Sequence, residues 1–169
     1  MMKRCIIFCL AIGALALPAI GLDIESGNMK ISLYENGRFN IFCRLEGGNS
    51  EYTPLLATRD ISTSALSVVI GNKIYRMGES GDFRQQIEKT EFGAQFIWTS
   101  TRVKITENLS IISDGWVKIT FVIQNNSEED LFLGAAWLFD TQLGEAQALQ
   151  FLTSSSQAIA GETIVTDMT

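Results

Sequence analysis

The 169-residue chain carries 19 acidic and 13 basic side chains and no histidine. Its net charge of −6 opposes phosphate backbones and anionic lipid surfaces, so nucleic acid is not an expected partner. The missing histidine excludes Ser-His-Asp and Cys-His nucleophile systems and removes the commonest zinc ligand, leaving carboxylates, lysine and tyrosine for any catalysis.

Lys3 and Arg4 precede an apolar run, Cys5–Leu17, which leads through Pro18-Ala19-Ile20-Gly21 into the acidic stretch Leu22–Ser26. Basic start, apolar middle and small-residue exit come in the order of a secretory signal, and the run is too short to cross a bilayer. Small side chains at Ala19 and Gly21 predict cleavage after Gly21, with Ala14 and Ala16 a weaker alternative. Residues 1–21 therefore read as signal and 22–169 as one domain with no membrane span, exported to the periplasm or cell envelope. Neither Cys5 nor Cys9 follows the small residues that a lipidated cysteine needs. Their loss leaves Cys43 alone, without a disulfide partner and expected as a small core residue on a strand face shared with Phe39 and Ile41.

From Met29 the chain alternates with period two. Met29–Tyr34 and the run from Arg38 flank Glu35-Asn36-Gly37, a hairpin signature. Glu46–Ala65 reads as a long connection with one short strand. Leu66–Ile70 and Lys73–Met77 form a second hairpin across Gly71-Asn72, and the loop Gly78–Asp82 ends it. Phe83, Gln95–Thr101 and Val103–Ile111 follow as strands. Val103, Ile105, Leu109 and Ile111 share a face that Glu107 interrupts, a pattern expected near a strand bend or sheet edge. After Asp114-Gly115, Val117, Ile119, Phe121 and Ile123 form a core face with Trp116 on the opposite side. Leu131–Phe139 reads as a strand buried on both faces, with Gly134, Ala135 and Ala136 allowing a close backbone approach or marking a bulge. Gly144–Leu152 is the best helical candidate, and Glu162–Thr166 begins a further strand, on which the sandwich either closes or lacks what comes next. Strands at hairpin spacing predict an all-β, antiparallel two-sheet β-sandwich.

Val117–Glu145 combines a strand, an Asn-Asn-Ser loop, a glycine-containing apolar strand and Asp-Thr-x-Leu-Gly-Glu. In this it resembles a segment of uncharacterised exported bacterial β-sandwich proteins. The architecture is similar to the sandwich of the galactose-mutarotase-like superfamily. The resemblance implies the fold and an exported location, and in that group the chain runs on further. Mutarotases hold and protonate the sugar with histidines, so their activity is not carried over.

Four residues are candidate ligand contacts. Asp140 and Glu145 could flank a sugar as acid and base, or offer oxygens to Ca²⁺, although strand-end turn chemistry accounts for the same residues. Trp98 and Trp116 could stack on a sugar ring, and core packing is the competing assignment for each, as for Trp137. Glu128-Glu129-Asp130 reads as a solvated hairpin loop, and the glycosylation patterns at Asn108 and Asn125 as accidental. Three functions compete. The first is a noncatalytic structural or interaction module of the bacterial cell envelope, binding an envelope protein or polysaccharide. The second is a carbohydrate-binding module using an exposed tryptophan, and the third a glycoside-processing enzyme or its inactive remnant.

Overall fold

The computed structural model describes residues 21–44, 51–58 and 64–142, with the backbone of two short strands at 151–152 and 158–159. Among these residues no helix forms, and every strand pair is antiparallel. The first sheet runs in chain order through β1 (Leu22–Ser26), β2 (Met29–Leu33), β3 (Phe39–Cys43) and β4 (Thr53–Pro54). The second has the order β10 (Trp116–Asn125), β9 (Val103–Ser113), β8 (Gly93–Thr99) and β7 (Arg84–Lys89). In the third, β11 (Leu133–Leu138) and β6 (Lys73–Arg76) flank β5 (Ala65–Ile70), while β12 (Phe151–Leu152) pairs with β13 (Ala158–Ile159). A bridge between Leu56 and Thr141 joins the first sheet to the third. Two hydrogen bonds flank it: Ala57 N donates to Asp140 O at 2.8 Å, and Gln142 N to Leu55 O at 2.9 Å.

One apolar cluster holds the layers together in the all-β, sandwich-like arrangement that the alternation predicts. Met29, Ile31, Leu33 and Phe39 of the first sheet, Leu66, Val68 and Ile70 of the third, and Phe96, Trp98, Val103, Ile105 and Leu109 of the second are buried in it. Complete burial of each such side chain contributes roughly 1.5–3 kcal/mol, and period two delivers every other residue to the core.

The hairpins arise at their expected turns, where Gly37 (φ 72°) and Gly71 (φ 62°) take the left-handed backbone. β1 was not expected. Leu22 and Ile24 already alternate, and Gly27 (φ 55°) turns the chain into β2. β7 was also missed beyond Phe83, because Arg84–Lys89 carries charged and polar groups on both faces, as suits an outer strand.

Several expectations are corrected. β11 is not buried on both faces: Ala135, Ala136 and Leu138 are exposed, since β11 borders its sheet. On β10, Val117, Ile119 and Ile123 are only half-buried and Phe121 is 38% exposed, because that strand too is a border. Glu107 lies at neither a bend nor an edge; it occupies the middle of β9, with Phe96 of β8 on one side and Phe121 of β10 on the other. Gly134 meets only ordinary contact, with Val69 Cβ 3.6 Å from where a Cβ would stand, so no close backbone approach requires glycine there. Cys43 is half-buried like Ile41, and only Phe39 of that trio reaches the core. Of the helical candidate, residues 143–150 lie outside the described residues and Phe151–Leu152 is strand. Glu162–Thr166 lies outside them as well.

The turn between β2 and β3 packs on the loop after β6. Arg38, buried despite its charge, donates from Nη1 to Met77 O at 2.8 Å and forms an ion pair with Glu79. Gln85 continues this seam, donating to the Glu35 carbonyl while its own Oε1 accepts from Trp98 Nε1 at 2.9 Å. A buried guanidinium is tolerable only with such partners, so the corner is fixed in position as well as apolar.

Candidate functional site

Of the four expected ligand residues, the three that are described, Trp98, Trp116 and Asp140, do not gather round one point. Trp98 lies within β8, buried, stacked on Phe96 with ring centroids 5.1 Å apart, and presents no face to solvent. Trp116 sits at the tip of the β9–β10 hairpin, beside Gly115 (φ 81°), and is 67% exposed. Asp140 follows β11, where its amide donates to Ser64 Oγ at 3.0 Å and its carbonyl accepts from Ala57. Its backbone groups thus tie the end of β11 to the earlier segments around Ala57 and Ser64. Glu145 lies outside the described residues.

The ionisable group with the largest shift among the described residues is one that the sequence assigned to a strand bend or sheet edge rather than to a site. Glu107 is 1% exposed and accepts a hydrogen bond from Trp137 Nε1 at 3.1 Å. Burial raises its pKa from 4.5 to about 8, against smaller lowering effects of the Trp137 hydrogen bond and the Arg38 charge. At neutral pH it is therefore a carboxylic acid rather than a carboxylate. Trp137 makes an edge contact with Phe121 at 5.1 Å and a tilted one with Phe139 at 5.6 Å, and Phe139 meets Phe39 edge-on at 6.4 Å. Glu107 thus lies beneath aromatic side chains that bridge β10 and β11, with its proton shielded from water. The alternation had already placed Glu107 on the core face of its strand; that was the available signal.

Among the described residues the surface includes two concavities. The larger, about 620 Å³, lies between the start of β1, Glu35 and the Gln85–Lys89 part of β7. The smaller, about 240 Å³, lies between β1 and the β7–β8 turn around Phe92. Among the described residues no group of three or more acids or cysteines is placed to hold a metal ion. Glu128, Glu129 and Asp130 are exposed, and Glu129 pairs with Arg102 at 3.5 Å. Asn125, within one glycosylation pattern, accepts from Ser127 N at 2.9 Å and orders the loop. Asn108, in the other, is half-buried and donates to Ser110 Oγ at 2.9 Å.

The borders of the second sheet differ sharply in chemistry. β7 carries Arg84, Glu88 and Lys89, charges of the kind that blunt a sheet edge. β10 spans 10 residues with Lys118 as its single charge, and Val122 on its outer face is 64% exposed. Among the described residues β10 pairs only with β9. Ile111 N bonds to Phe92 O, away from β10, and Asn126 N bonds to Arg102 O across the β9–β10 ladder. The alternation of an antiparallel ladder therefore turns the backbone groups of Val117, Ile119, Phe121 and Ile123 away from β9. A long, apolar border with outward N–H and C=O groups is a template for a further strand.

No known protein-family model, curated protein or solved structure matches the chain. Fold and surface therefore define its class: an all-β antiparallel sandwich whose second sheet has one charged and one apolar border, in which no described helix is long and apolar enough to cross a membrane.

Proposed function

We infer that the chain is a noncatalytic interaction module of the bacterial cell envelope that binds its partner through β10. The single observation carrying this reading is the apolar border of the second sheet at β10, unpaired among the described residues, set against the charged border at β7. Strand addition gains affinity from main-chain hydrogen bonds and specificity from alternate side chains, and neither requires histidine, metal or cofactor. The signal-like N-terminus supports export to the compartment where such a partner would reside. A photocrosslinking residue at Val122 in expressing bacteria is expected to yield a discrete adduct, while the same group at Gln86 on β7 yields none. Equal labelling from both borders, or none from Val122, would remove the reading.

The exposure of Trp116 favours a second reading, carbohydrate binding by stacking on the indole. Adding envelope polysaccharides should then quench or blue-shift tryptophan emission, and Trp116→Ala should abolish the response. The substitution is expected to change stability by no more than about 0.5 kcal/mol, as for other exposed positions, so loss of the signal would report binding rather than unfolding. A response that survives Trp116→Ala would rule this site out.

A further inference from the structure

We propose that the occupant of the β10 border is a second copy of this chain, the two β10 strands pairing antiparallel about a two-fold axis at Thr120. The inference rests on the interaction-module reading and names its partner. In an antiparallel pair, directly opposed residues share a face of the sheet, so the register must match inner residues with inner and outer with outer. Centring the axis on Thr120 places Val117 opposite Ile123 and Ile119 opposite Phe121 of the other copy. All four half-covered inner side chains of β10 then meet an apolar counterpart, and the same residues present the outward backbone groups. They would close hydrogen-bonded rings on both sides of the axis while the two Thr120 side chains face each other.

Charge makes β10 the place where a second copy can approach. The chain as a whole is acidic, at −6, so most of its surface repels a copy of itself. β10 is the exception, with no acid and only Lys118. In the Thr120-centred register Lys118 lies opposite Val122, and no like charges oppose one another. The acidic residues Glu128–Asp130 fall beyond the end of the opposed strand. The product is one continuous sheet in which β7, already charged, forms both outer borders and β10 has no open side. Closed two-fold pairing of this kind halts at the dimer.

The test is the oligomeric state of the full chain purified from expressing cells, measured by sedimentation equilibrium across a concentration series. The wild-type chain should associate to a dimer and no further. Thr120→Lys sets like charges opposite each other at the axis and should weaken the dimer roughly ten-fold or more, as should Thr120→Glu. Mixing the two variants should restore the dimer, an outcome that misfolding could not produce. Gln86→Lys on β7 should leave association unchanged. A wild-type chain that stays monomeric at every concentration, or a dimer indifferent to both Thr120 substitutions, would overturn self-pairing. The Val122 crosslink separates this failure from that of the broader reading: an adduct with a different macromolecule from a monomeric chain removes the dimer and leaves the module, whereas no adduct removes both.

Discussion

Replacing Glu107 by glutamine should stabilise the protein by about 3 kcal/mol at neutral pH and about 5 kcal/mol above pH 8, and flatten the dependence of its stability on pH. The carboxyl pKa is 4.5 for an ordinary glutamate and about 8 at this buried site. Between those values the unfolded chain has lost the proton and the folded chain retains it. The folded state then binds more protons, so stability falls as pH rises, by roughly 1.4 kcal/mol per unit. The contribution is complete below pH 4.5, declines across the window to about 8, and levels off above it. Glutamine never ionises, and its Oε1 can still accept the hydrogen bond that Trp137 Nε1 makes to Glu107 Oε1. Urea unfolding of both chains from pH 4 to 9 measures the effect as a difference, which cancels the titration of every other group. Curves that run parallel across this range would mean that Glu107 reaches solvent or finds a compensating charge. A change in Trp137 emission near pH 8, present in the wild-type chain and absent after Glu107→Gln, would report the same ionisation from the folded side.

The outcome for Glu107 shows where sequence reasoning stops. Val103, Ile105, Glu107, Leu109 and Ile111 fall on one face by alternation alone, and that face is buried throughout. The alternation is a local property, so it was legible. What makes the glutamate tolerable there is Trp137, 30 positions away, together with Arg38 of another hairpin, and no local pattern announces such partners. Strand position within a sheet was hidden for the same reason. Val117–Ile123 and Leu131–Phe139 look like core strands by composition, and only the topology shows that β10 and β11 are borders. The turns were legible because their chemistry is local: Gly37 and Gly71 take left-handed angles at the positions where their neighbours predicted hairpins. Of the candidate ligand residues, Trp116 lies opposite the apolar face of its strand and is exposed, although core packing was the competing assignment, whereas the burial of Trp98 follows from β8 lying between β7 and β9 and packing on the core.

The corner between the β2–β3 turn and the loop after β6 should respond strongly to Gly78→Ala. Gly78 holds φ 84°, and a Cβ on it would stand 1.9 Å from Asn36 O and 2.9 Å from Gly37 Cα. Both obstacles are backbone, so no rotamer change relieves them; one turn must move away from the other. That movement would also pull Met77 O and Glu79 from Arg38, whose guanidinium is buried at the same seam. A left-handed angle costs an L-residue roughly 1–2 kcal/mol, and overpacking adds about 1–3 kcal/mol, so a loss of about 4 kcal/mol is expected. Gly71→Ala supplies the control, because Gly71 has a similar φ of 62° and nothing within 4 Å of where its Cβ would lie. It should lose only the backbone component, about 1–2 kcal/mol. The difference between the two variants in urea unfolding therefore isolates the contact between the turns. Equal losses would mean that the turns can separate without disturbing Arg38, and that the corner contributes no rigidity beyond the hairpins themselves. A much larger loss at Gly78 would make this corner a fixed end of the sandwich.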